Sequence, residues 1–145
     1  MHNPPSEILT HESLTIFYTK LFVREVLNGG FFQFMANSAG NNTAETLNAL
    51  IEIGANFSAD LLRQAVNLFP RSLVPVNKAE RVAILSEPDL CDAPQWDALS
   101  QIFWDQVSTD KNSSAPVAEN IWELMHQFIC DAKECPILSI SDTSG

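Results

Sequence analysis

Residues 25–40 read EVLNGGFFQFMANSAG, and the fold turns on how the two adjacent glycines are taken. Upstream, Leu14, Phe17, Tyr18, Leu21, Phe22 and Val26 recur at three- and four-residue steps, the spacing of one helix face. That helix is predicted to stop near Asn28, because Gly29 and Gly30 supply the positive-φ residue that helix ends commonly need. A second, shorter helix then sets Phe31, Phe34 and Met35 on one side and Gln33 and Asn37 on the other. Gly40 offers a second stop. The stretch reads as a corner: helix, glycine elbow, helix, glycine stop.

The ordered series Glu25, Asn28, Gly29, Gly30, Phe31, Gln33, Phe34, Asn37 and Gly40 resembles the signature of the DNA mimic protein 19 family, also catalogued as domain of unknown function 4375. Further matching positions follow at Ala49-Leu50, Ile53-Gly54-Ala55, Ala65, Phe69-Pro70, Val74-Pro75 and Arg81. The last third matches by helical pattern alone. The resemblance implies an all-α fold, often dimeric, with no established enzymatic activity. It also implies an acidic surface that imitates DNA and occupies the DNA-binding face of a transcription factor.

Length and charge set independent bounds. A chain of 145 residues is one domain by size and buries roughly 70% of its unfolded surface. Its formal net charge is −10, from 18 acids against 8 bases. Direct nucleic-acid binding, which needs clustered Lys and Arg, is disfavoured, as is an anionic membrane surface. The first residues, MHNPP, lack the basic and apolar regions of a signal peptide, and no apolar run approaches the roughly 20 residues of a membrane span. With Cys91, Cys130 and Cys135 odd in number, a reduced cytoplasmic protein is expected.

In chain order, residues 1–11 are read as a polar leader, 12–136 as one all-α domain of about seven helices, and 137–145 as a disordered tail. After the elbow, Asn42 or Thr43 caps a helix facing inward through Leu47, Leu50 and Ile51. Ser58 caps the next, whose buried face is Leu61, Leu62, Ala65, Val66 and Phe69. Asn77 and Glu80 form a capping-box-like start for a helix carrying Val82, Ala83 and Leu85. Pro88 and Pro94 mark a loop, and Trp96, Leu99, Ile102 and Phe103 a further helix. Pro116 opens the final helix and Pro136 closes it. No strand of useful length is expected.

Four features invite chemistry. The amides Asn28, Gln33, Asn37 and Asn41 with Glu25 suit either a small polar ligand pocket or the satisfaction of backbone groups at a tight corner. Catalysis there is not expected, because amides transfer no protons and no histidine is near in sequence. His126, Cys130 and Cys135 lack the fourth ligand of a structural zinc site, so neither metal nor cofactor is expected. Trp96, Trp104 and Trp122 either complete the core or form an exposed aromatic set for a homodimer.

The fourth feature is the uneven charge. Up to Ser86, seven acids nearly balance six bases. From Glu87 to Glu134 the ten acids Glu87, Asp89, Asp92, Asp97, Asp105, Asp110, Glu119, Glu123, Asp131 and Glu134 face only Lys111 and Lys133, a net of −8. Such a surface steers a basic, DNA-binding protein toward it over about 8–10 Å at moderate salt. The expectation is therefore a non-enzymatic acidic interaction protein whose partner is basic, with the elbow as its structural frame. A ligand-binding or enzymatic elbow is the alternative.

Overall fold

The structure, a computed structural model, describes residues 10–111 and 116–144, with side chains described as far as Lys133. Thr10 opens the first helix: its Oγ1 accepts the Ser13 N–H at 3.0 Å. Helix α1 (His11–Ala36) contains the elbow within it, because Gly30 adopts φ 82° and ψ −173° and kinks the path there. A Cβ at Gly30 would stand 2.4 Å from Ser100 Oγ. The position thus demands glycine for both backbone and space. Phe31 N–H, released from helical pairing by the kink, donates to that same Ser100 Oγ at 2.9 Å.

A 3₁₀ turn (Ser38–Asn42) leads to α2 (Thr43–Glu52) and α3 (Asn56–Val66). After a second 3₁₀ turn at Pro70–Ser72 come α4 (Lys78–Leu85), a single turn α5 (Pro88–Cys91) and α6 (Gln95–Gln106). The strands β1 (Val107–Ser108) and β2 (Glu119–Asn120) pair in parallel, and α7 (Ile121–Ser144) completes the order. The fold is all-α apart from that two-residue ladder.

The core is aromatic and centred on the elbow. Phe22 meets Phe31, Phe34 and Phe103 edge-on at centroid distances of 5.8, 5.6 and 5.6 Å. All four rings are fully buried. The elbow supplies two of them from one side of the kink and α1 supplies the third, so the bend folds the helix onto its own apolar face. Trp96 extends the cluster against Phe32 and Phe69.

Several expectations need correction. The helix begins at His11, inside the proposed leader, whose residues 1–9 lie outside the described ones. Ile51, Val82 and Ile102 are exposed, and in α4 the buried positions are Arg81 and Leu85 instead of Val82 and Ala83. The Pro88 region is helical, since proline is tolerated in a first turn. Pro116 precedes β2, and α7 starts only at Ile121. That helix also continues through Pro136 to Ser144, because a proline inside a helix removes one donor without forbidding continuation.

Candidate functional site

At the elbow, the sequence-predicted residues divide into a clasp and a frame. Glu25 Oε1 accepts from Asn37 Nδ2 at 2.9 Å and from Gln33 Nε2 at 3.2 Å. One carboxylate oxygen thereby ties the helix before the kink to two positions after it. Gly29 leaves room for Gln33, whose Oε1 a Cβ there would approach to 1.8 Å. Asn28 is exposed. Asn41 Oδ1 is buried without a hydrogen-bond partner among the described residues.

Arg81, which the sequence reading placed in the family series without a role, anchors the far end of this corner. It is fully buried. Its Nε donates to Met35 O and its Nη2 to Asn37 O, both at 2.7 Å. Nη1 donates to Pro75 O at 3.1 Å and Val76 O at 2.9 Å. Met35 O lies in the last turn of α1, where helical carbonyls go unpaired, and Asn37 is the C-cap, whose carbonyl also accepts the Gly40 N–H at 3.0 Å; a cation suits the negative end of the helix dipole. Burial lowers the guanidinium pKa from its ordinary value. Gly40 makes the approach possible, since a Cβ there would fall 2.7 Å from Arg81 Nε and 2.8 Å from Met35 O. The local sequence carries only a weak signal for Arg81, its place four residues before the apolar Leu85 on the same side of the helix.

Of the ten late acids, Glu87, Asp89, Asp92, Asp97, Asp105, Asp110, Glu123 and Asp131 are exposed. Glu134 lies beyond the described side chains. Among the described residues, His11 Nε2 meets Glu52 at 2.7 Å and Arg24 pairs with Glu25 at 4.0 Å, and neither contact involves Asp97, Asp105, Glu123 or Asp131. Two helices present their acids in the same way. Asp97 and Asp105 lie eight residues apart on α6, with Gln101 between them donating Nε2–H to Asp105 Oδ1 at 3.0 Å. Glu123 and Asp131 repeat the spacing on α7, where Gln127 donates to Asp131 Oδ1 at 2.8 Å. Eight residues of helix span about 12 Å, and i to i+4 steps keep each row on one face.

Glu119 does not belong to that surface. It is only 8% exposed, and its oxygens accept from Phe57 N–H at 2.8 Å, Ser58 N–H at 3.2 Å and Ser58 Oγ at 2.6 Å. It caps α3 from sixty-two positions away. Glu119 also lies outside the final helix, expected to open at Pro116: it belongs to β2, and α7 begins two residues later. Ser58, expected as the cap, lies inside the first turn of α3 and helps to hold the carboxylate that replaces it.

The tryptophans separate. Trp96 is buried and donates Nε1–H to Leu90 O at 2.8 Å. Trp104 is 44% exposed while its Nε1–H reaches Val26 O at 2.9 Å. Trp122 is half-buried and stacks on His126. His126 and Cys130 do share a face of α7, with Nε2 and Sγ 3.7 Å apart. Among the described residues no group of three or more metal-ligating side chains converges, and no helix is long and apolar enough to cross a membrane.

The family model described as DMP19-like protein matches residues 7–129. No curated protein and no solved structure matches the chain.

Proposed function

The chain belongs to the DMP19-like protein family, and from that membership we propose that it is a non-enzymatic, cytoplasmic, acidic interaction protein that occupies the DNA-binding surface of a basic protein. The observation that carries this reading is the pair of carboxylate rows on α6 and α7, exposed and without a cationic partner among the described residues. Within each row the two acids are separated by an axial rise of about 12 Å along the helix. Glutamines hold one acid of each row in place, so the charges are positioned before any partner arrives.

A ligand pocket or active site at the elbow has less support. Glu25, Gln33 and Asn37 direct their polar groups at one another, and Arg81 occupies the nearby carbonyls. Those contacts fit a corner held for stability.

The test is capture by the immobilised protein from lysate at about 50 mM and about 300 mM salt, with duplex DNA as competitor. Basic DNA-binding proteins should bind at the lower salt and be released by either treatment. The combined variant Asp97→Asn, Asp105→Asn, Glu123→Gln, Asp131→Asn should weaken capture by about tenfold or more. Partners that resist both duplex DNA and salt would overturn the proposal.

A further inference from the structure

Trp122, His126 and Cys130 follow one another at four-residue steps along α7 and so share one side of the helix. His126 Nε2 lies 3.7 Å from Cys130 Sγ. With the imidazole proton on Nδ1, the Nε2 lone pair faces the thiol and can take its proton. The imidazole is exposed and Cys130 is half-buried, so small molecules in solution reach the pair.

Trp122 supplies a third part. Its indole stacks on the His126 ring with centroids 5.1 Å apart and planes 9° from parallel. That contact orients the imidazole and favours its cationic form over the indole face. A thiol, a base within reach of it and a group that orients the base are the parts of an activated sulfur nucleophile. Glu123 and Asp131, exposed on the same helix, set the local charge. They repel an anionic reagent and draw in a cationic one.

We infer that Cys130 is a thiol–disulfide exchange site, with His126 as its base and small cationic disulfides as its substrates. The thiol proton passes to His126 Nε2, and the Cys130 sulfur attacks one sulfur of the disulfide. A new S–S bond to Cys130 forms as the old S–S bond breaks, and the departing thiolate takes up the proton. Cys130 is thereby oxidised and the small disulfide reduced. The inference stands on residues of α7 alone and does not depend on the proposed acidic-interaction reading.

The probe is cystamine, a dication at neutral pH, added to the full chain, with loss of free thiol followed at each cysteine by mass spectrometry. Cys91 is the control within the molecule: it is the more exposed of the two, it lies on α5 beside Asp89 and Asp92, and the His126 contact belongs to Cys130. Exposure alone predicts faster reaction at Cys91; the site predicts that Cys130 reacts at least about threefold faster. His126→Phe, at an exposed position, keeps a ring beside Trp122 but takes no proton. It should slow Cys130 by about tenfold or more and leave Cys91 unchanged. Glutathione disulfide, an anion, should lag behind cystamine at Cys130, and the double variant Glu123→Gln, Asp131→Asn should narrow that gap. Cys91 reacting as fast as Cys130, or a Cys130 rate unchanged by His126→Phe, would overturn the site. A gap that the double variant leaves as wide would overturn its preference for cations.

Discussion

At the scale of single residues, the corner depends on a charge that makes no ion pair among the described residues. Arg81 reaches four backbone carbonyls from one guanidinium, and no other side chain has that fork of donors. Arg81→Lys keeps the charge but reaches fewer carbonyls, leaving buried acceptors unmet. It is expected to lower stability by about 2–4 kcal/mol in chemical denaturation; a loss below half a kcal/mol would show the carbonyls to be satisfied otherwise. Tyr18 gives a pH prediction. Burial first, and then the nearby Glu45 charge, raise its pKa above the ordinary 10.0. The folded chain thus keeps a proton that the unfolded chain loses, so stability is complete below about pH 10 and falls as pH rises beyond it. Tyr18→Phe should flatten that decline when denaturation is compared at about pH 8 and about pH 11.

At the scale of elements, two helix ends are finished by distant residues. The carbonyls of Met35 and the C-cap Asn37 at the end of α1 are met by α4 through Arg81, and the first N–H groups of α3 are met by β2 through Glu119. The short ladder of Val107–Ser108 with Glu119–Asn120 explains its own existence in this light, since it brings Glu119 to the α3 terminus. Glu119→Ala should cost about 2–4 kcal/mol, combining a lost cap with buried N–H groups left open. Hydrogen exchange should speed up first at Phe57 and Ser58. Acceleration spread evenly over the chain would argue against a local cap.

At the scale of the whole molecule, the net charge of −10 is carried mostly by the last third, where among the described residues no ion pair joins Asp97, Asp105, Glu123 or Asp131 to a cation. Exposed like charges repel, and salt screens them within a Debye length of about 8–10 Å. The melting temperature should therefore rise by about 2 °C between low and physiological salt, and less in the fourfold-neutralised α6–α7 variant. A melting temperature that falls with added salt would mean that attractive pairs dominate. Partner capture in that variant should drop while its fold persists, which separates the surface from the frame.

The elbow was legible because glycine and aromatic spacing are local: a positive φ at Gly30 and a run of buried phenylalanines follow from sixteen consecutive residues. The all-α class and the cap at Asn77 follow from the same short-range rules. Glu119 was read as surface because a carboxylate is usually solvated, and only the β1–β2 pairing turns it inward. Arg81 likewise has its partners 44 and 46 positions earlier. Periodicity fixes which face of a helix is apolar; which distant backbone groups that face must satisfy is decided when the chain closes on itself, because unpaired N–H and C=O groups meet their partners only in three dimensions.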